Sequence, residues 1–336
     1  MGHDRLVTDP NPDKPVLIVP LPEAMVRRAR EFRGDPAPVR PAATVVLLKP
    51  DGDTFQMYVM KRAATMVFGG LHAFPGGGVD PSDRPETIRT DWADLLGVPE
   101  EQAHAVVGAA ARELFEEAGV LLAGPIDQPD RMVSDGTLTG IVSHGNEAAH
   151  SSEAAGTDEA GDKLGRRDEA GHDDQGGHGG QRGRGGQRGR GAVIGDVSAD
   201  DWEADRAAVA AHELTMTDLL ARRGLRLRDD LLFPWDRWIT PEFEPKRFDT
   251  WFFVALLPEG QTARDVSGES EVADWVRPEA ANGLAMLPPT RSTVNSLRPY
   301  RKIADVVAGA SRRDAATPVM PRVEFTDDGG AVLHLG

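Results

Sequence analysis

The chain has 336 residues, 40% of them hydrophobic, enough for one large domain or two small ones. Its formal net charge of −16 argues against a general nucleic-acid binder, and the absence of cysteine excludes disulfides, thiolate zinc sites and a cysteine nucleophile. No apolar run approaches the ~20 residues of a membrane span, and no leading charged-then-apolar segment reads as a signal peptide, so the cytoplasm is the expected compartment.

Residues 1 to about 15 carry three prolines and no periodicity and are expected to form a flexible arm, followed by a short strand at Val16–Val19 and a helix from Glu23 to Phe32. Thr44 to Lys49 is β-branched and apolar and predicts a central strand. Pro50-Asp51-Gly52-Asp53 is a turn, and the alternating run Phe55 to Arg62 completes a hairpin. Lys61-Arg62 at the strand end suits either a substrate phosphate or a solvated end.

Leu71-His-Ala-Phe-Pro-Gly-Gly-Gly-Val79-Asp80 follows. Pro75 and three glycines interrupt a strand and let backbone approach a ligand closely, with a carbonyl on offer to a metal. Pro85 to Leu96 predicts a helix that packs on the domain through Trp92 and Leu95-Leu96. The alanine-rich run Ala103 to Ala118 predicts a longer helix ended by Gly119 in a left-handed cap. On it Glu113, Glu116 and Glu117 fall within about 100° of arc, while Val107, Ala111, Leu114 and Ala118 form a separate apolar face. Close carboxylates repel one another unless a cation sits against them, and hard oxygen ligands suit Mg²⁺ or Mn²⁺. Arg112 is one turn before Glu116 and can fix its rotamer. A solvated acidic face is the plainer alternative for three glutamates alone.

Phe-Pro-Gly-Gly together with Arg112-Glu-Leu-Phe-Glu-Glu-Ala-Gly-Val120 resembles the signature of the Nudix hydrolases, which cleave nucleoside diphosphates linked to another moiety. Its usual form is Gly-x5-Glu-x7-Arg-Glu-U-x-Glu-Glu-x-Gly-U, with U a bulky aliphatic residue. Gly77 takes the place of the leading glycine. Gly77 to Arg112 spans 35 positions where the usual box has 14, so 21 residues are inserted, expected at Pro81 to Glu101. Counted back from Arg112, the first glutamate of the box falls on His104, which reads as a helix-start residue and not a ligand.

After Leu122 the composition changes. About Asp127 to Asp196 lacks aromatics and repeats Gln-Arg-Gly-Arg-Gly at 181–185 and 187–191; this low-complexity insertion is expected to be disordered. It has no Tyr or Phe for stacking, which speaks against RNA as a partner, and His144, His150, His172 and His178 are scattered and expected to be solvated. Order is expected to return with a helix at Ala199–Ala211 and another capped by Thr217 and running to Arg223. Then come the aromatic patch Leu231 to Pro241, an interior strand Arg247 to Leu257, a loop Gly268-Glu-Ser-Glu-Val272 into a strand through Trp275-Val276, a helix from Leu287-Pro-Pro-Thr290 to about Gly309, and a hairpin Arg322–Leu335.

Glu-Glu-Ala-Gly-Val-Leu-Leu122, Trp238-Ile-Thr-Pro241, Arg247-Phe-Asp-Thr250 and Leu287-Pro-Pro are similar to one branch of that family, the peroxisomal coenzyme A diphosphatases, although the chain ends Leu333-His-Leu-Gly336 and not Ser-Lys-Leu. The match covers about 40–126 and 206–300. The resemblance implies an α/β class protein, a Nudix α/β/α sandwich with mixed sheet. The expected organisation is an arm and short helix (1–40), a first domain part holding the box (41–126), the disordered linker (127–197), a second domain part (198–285) and a C-terminal helix and hairpin (286–336). It further implies Mg²⁺ (or Mn²⁺) on Glu113, Glu116, Glu117 and the Gly76 carbonyl, a small-molecule nucleotide substrate, and coenzyme A or acyl-CoA in particular. Arg62, Gly77 and Arg247 are the candidate substrate contacts, and Glu269 or Glu271 the candidate general base. NADH, ADP-ribose or a capped RNA end are alternative substrates, and a non-catalytic nucleotide sensor is the alternative class. The sequence leaves oligomeric state open.

Overall fold

The computed structural model describes residues 6–7, 16–21, 23–64, 69–86, 88–127, 193–266, 268 and 270–335. The disorder expected for the low-complexity tract therefore falls outside the described residues, as does most of the expected N-terminal arm. Within that arm Leu6–Val7 forms a short strand (β1), antiparallel to Val16–Pro20 (β2).

The centre is a long strand, Val39–Asp51 (β3), whose alternation feeds two cores at once. Ala43, Val45 and Leu47 face one buried cluster, and Val46 and Leu48 face the other. Such a strand belongs inside a sheet covered on both sides. Thr54–Arg62 (β4) turns back onto it over Leu48–Asp51 only. Beyond Leu48 the two strands part. His72–Ala73 (β5) then pairs with β4, and Gly76–Gly78 (β6) takes the vacated place against Ala42–Thr44.

On its other edge β3 pairs in parallel with Arg247–Leu256, and that strand pairs antiparallel with Leu232–Ile239. Ser270–Val276 closes the sheet beside β4. The sheet is thus mixed, with helices on both faces. Glu100–Ala118 and Asp200–Ala210 cover one face, and Pro288–Leu297 with Ile303–Ala310 cover the other. A separate small sheet carries Arg322–Phe325 and Ala331–Leu335 on β2, which bears out the expected C-terminal hairpin. None of the described helices is long and apolar enough to cross a membrane.

Several boundaries differ from expectation. The inserted helix covers only Trp92–Leu96, because Asp83 is drawn back to Arg112 and Gly97 ends the helix at φ 65°. It docks as expected: Trp92 is fully buried, meets Phe253 edge-on at 6.0 Å, and donates its indole N–H to Asp229 at 2.7 Å. Thr215 and not Thr217 caps Met216–Arg222; its hydroxyl accepts from the Asp218 amide, whereas Thr217 donates to the Arg84 carbonyl. The helix expected from Leu287 to Gly309 is two helices. Pro299 lies between them, lacking an amide hydrogen and disfavouring helix in the residue before it. The described residues begin again at Val193, before the expected Ala199: the Ile194 amide donates to Ala123, and its carbonyl accepts from Gln261.

Candidate active site

Helix Glu100–Ala118 runs beside β6 with its apolar face on the sheet, where Val107, Ala111, Leu114 and Ala118 are buried as their spacing predicts. Gly119 ends it at φ 63°, its amide donating to Phe115. The acidic face is not solvated. Glu113 and Glu117 are 9% and 6% exposed, and Arg112 is 5% exposed.

The period of two in β6 explains how. The Pro75 carbonyl accepts from Val45 on β3, so the peptide groups of Gly76 and Gly78 turn the other way, toward the helix. The Gly76 amide donates to Glu117 Oε2 at 2.8 Å, and the Gly78 carbonyl accepts from Arg112 at 2.8 Å. No side chain fits at Gly76 or Gly77. A Cβ on Gly76 would strike Ala43 and Thr44, and one on Gly77 would strike the Glu113 carboxylate.

Arg112 organises the cluster. Its Nε and Nη2 donate to the two carboxylate oxygens of Asp83 at 2.7 and 3.0 Å, and its Nη1 donates to Glu113 at 2.9 Å and to Glu116 at 3.2 Å. Burial alone would lower the Arg112 pKa, but the bonds to Asp83 and the surrounding carboxylates hold it above its ordinary value. One guanidinium does not neutralise four acids. Burial pushes Glu113 up to about 7 against the pull of Arg112, with Glu116 adding to the rise. Glu116 is raised too, burial again outweighing Arg112.

Arg112, Glu113, Glu116 and Glu117 line a cleft of ≈ 770 Å³, with Asp83 behind Arg112 and outside the lining. Arg62 and the glycine strand form part of its wall, and Arg206, Ala207, Ala210, Ala211 and His212 close it from the end of helix Asp200–Ala210. Arg206 ties that wall to the acidic helix through the Glu116 carbonyl at 3.0 Å.

The structure thus brings together Arg62, Gly76, Gly77, Arg112, Glu113, Glu116 and Glu117. It does not bring Arg247 to the cleft. That side chain is buried, donating to the carbonyls of Thr240 and Ala37 and approaching the Met320 sulfur. Glu271 is exposed on the edge strand, where Lys61 (2.7 Å) and the Ala64 amide hold its pKa below the usual range, and it does not line the cleft. Glu269 lies outside the described residues.

Asp83 was missed by counting back from Arg112 to His104. Counting forward from Gly77, the sixth position is Asp83, and this residue grips Arg112. The insertion therefore follows Asp83. His104 lies farther up the helix, 3.7 Å from Glu100.

No protein-family model and no curated protein matches the chain. Among solved structures it is similar to a Nudix hydrolase from Alicyclobacillus acidocaldarius, with 20% identity, 81% of this chain and 96% of that chain covered, and a TM-score of 0.52. The chain has the Nudix fold. Looser Nudix-fold matches are a Nudix hydrolase from M. smegmatis, RenU (13% identity, 77% and 84% covered, TM-score 0.31), and the NUDIX domain of Shewanella oneidensis NrtR complexed with ADP ribose (10%, 83% and 98%, 0.33).

Among the described residues no three acidic or histidine side chains are gathered in an arrangement that holds a metal ion as it stands. The donor chemistry of this Nudix-fold cleft nonetheless fits a hard divalent cation. It offers carboxylate oxygens, the backbone edge of Gly76, and buried glutamates, Glu113 and Glu116, that burial, with smaller help from neighbouring acids, lifts above their ordinary range.

Proposed function

We propose that the chain is a divalent-metal-dependent hydrolase of the diphosphate bond in a nucleoside-diphosphate-linked small molecule, with coenzyme A or acyl-CoA as substrate. The observation that carries this reading is the carboxylate cluster, Asp83, Glu113 and Glu116 around Arg112 with Glu117 bonded to the Gly76 amide, set against a side-chain-free glycine strand in an open cleft. Glu113, Glu116, Glu117 and the Gly76 carbonyl would hold Mg²⁺ or Mn²⁺. When bound, such an ion neutralises charge on phosphoryl oxygens and lowers the pKa of an attacking water.

The chain's own residues do the rest. Arg112 fixes the rotamers of Glu113 and Glu116, and Asp83 fixes Arg112. The bare backbone of Gly76–Gly78 admits an anion close to the acidic helix. Arg62, on the cleft wall, is the basic group placed to meet a substrate phosphate. Intact carboxylates favour catalysis over a sensor role.

Incubating the purified protein with Mg²⁺ or Mn²⁺ and coenzyme A, acyl-CoAs, NADH, ADP-ribose and a capped RNA end tests the activity. Turnover of coenzyme A well above its 3′-dephospho form supports the substrate. A bidentate arginine–phosphate contact contributes roughly 1.5–3 kcal/mol, so Arg62→Ala should narrow that gap by about ten- to a hundredfold. Equal rates on the two forms remove coenzyme A from the reading; no turnover of any of these compounds removes hydrolysis.

A further inference from the structure

His212 has φ 56° and is the one non-glycine residue among those described with a positive φ. It stands two residues past the end of helix Asp200–Ala210, the position after the cap where helices commonly place glycine in the left-handed conformation. Its amide donates to Val209, and the following amides of Glu213 and Leu214 reach back to Ala208. A Cβ in that conformation costs on the order of 1–2 kcal/mol. As a helix cap alone, histidine is a weaker choice there than glycine.

The side chain lies where the chemistry is. His212 lines the cleft together with Glu116 and Asp80. The imidazole has no hydrogen-bond or ion-pair partner among the described residues. The neighbouring Arg206 is occupied, its Nε bound to Glu203 and its Nη1 to the Glu116 carbonyl. His212, an exposed side chain on this wall, therefore keeps its ring N–H free for a ligand in the cleft.

We propose that His212 is a substrate-contacting residue that donates a hydrogen bond to a non-bridging oxygen of the diphosphate in the cleft it shares with the carboxylates. The assignment rests on the diphosphate-hydrolase reading and deepens it. The contact needs only an imidazole N–H, present in both protonation states. With a divalent cation held by the carboxylates, an N–H donor at His212 would give the anion a second contact, and the backbone conformation sets the direction in which its Cβ leaves the chain.

The experiment compares H212N, H212A and H212G with wild-type protein in three measurements: kcat/KM on the best diphosphate substrate of the panel, Kd for α,β-methylene-ADP, and melting temperature without substrate. Asparagine tolerates the left-handed conformation and keeps an N–H donor. H212N should retain activity within about fivefold, while H212A and H212G lose about ten- to a hundredfold in kcat/KM and about tenfold in Kd. H212G should melt no lower than wild type, since glycine relieves the backbone. If H212A and H212G stay within twofold of wild type, or if H212G loses activity only in step with a lower melting temperature, His212 is a cap and the proposal falls. A wild-type protein that neither cleaves nor binds any diphosphate overturns the function along with it; an active wild type with unaffected variants overturns this assignment alone.

Discussion

Arg112 and Asp83, 29 residues apart, form a two-pronged ion pair with Nε–Oδ1 at 2.7 Å and Nη2–Oδ2 at 3.0 Å, both side chains almost fully buried. The pair spans the insertion, so it ties the glycine strand's exit to the acidic helix whatever lies between. Breaking a buried pair from one side leaves an uncompensated charge and costs about 3–5 kcal/mol. Asp83→Ala should lower the stability in urea by an amount of that order, partly offset by Glu113 and Glu116. An unchanged midpoint would mean Arg112 does not depend on Asp83.

Glu117→Gln keeps an oxygen that can accept from the Gly76 amide, so the strand–helix contact survives while a carboxylate charge is lost. Activity should fall by orders of magnitude with the melting temperature nearly unmoved. Full turnover at saturating Mg²⁺ and Mn²⁺ sinks the assignment of Glu117 as a metal ligand.

Gly77→Ala drives a methyl group into the Glu113 carboxylate, which is pinned by Arg112 and cannot swing freely. Overpacking of this kind costs about 1–3 kcal/mol. Because the displaced group belongs to the site, activity should drop more than tenfold in a protein that still folds. Wild-type kinetics in this variant would show that the position of Glu113 is irrelevant.

Burial raises Glu113 from 4.5 to about 7, and the sign of the consequence follows. Between those values the folded chain holds a proton that the unfolded chain has released, so metal-free stability should fall as pH rises through that window. E113Q should flatten the slope. Mg²⁺ added above the window should restore part of the loss, because it favours the ionised carboxylates. Melting curves from pH 4.5 to 8 with and without Mg²⁺ check this; a wild-type slope identical to that of E113Q refutes it.

The ends of the low-complexity tract are neighbours, since the Ile194 amide donates to Ala123. Replacing 128–192 with a short Gly/Ser linker should leave kcat/KM within a few-fold. The cut must stop before Val193, because Ile194 also accepts from Gln261. A loss beyond tenfold in a folded protein would make the tract part of the site.

What could be read in advance was periodic. The apolar, β-branched run of β3 and the 3.6-residue spacing of Val107, Ala111, Leu114 and Ala118 announce strand and helix directly, whereas the sandwich they build was implied by the family resemblance. The site was legible wherever local spacing fixes geometry, as for Glu113, Glu116 and Glu117. It was not legible for Arg247, since opening an apolar strand says nothing about which carbonyls will consume the guanidinium. Asp83 was reachable by counting forward from Gly77; counting backward crossed the insertion. His212 gave no signal, because its positive φ follows a helix end written Ala-His where glycine would have marked it.

The parallel pairing of β3 with Arg247–Leu256 sets a condition on synthesis. Val39 meets Arg247, so β3 waits for a partner made about 200 residues later, roughly 10–40 s at ribosomal speed. During that wait the nascent chain carries a strand that is apolar on both sides and open at one edge, a template for misassembly. A ribosome stalled just past Leu122 should therefore display a collapsed, chaperone-binding intermediate and not half a folded domain.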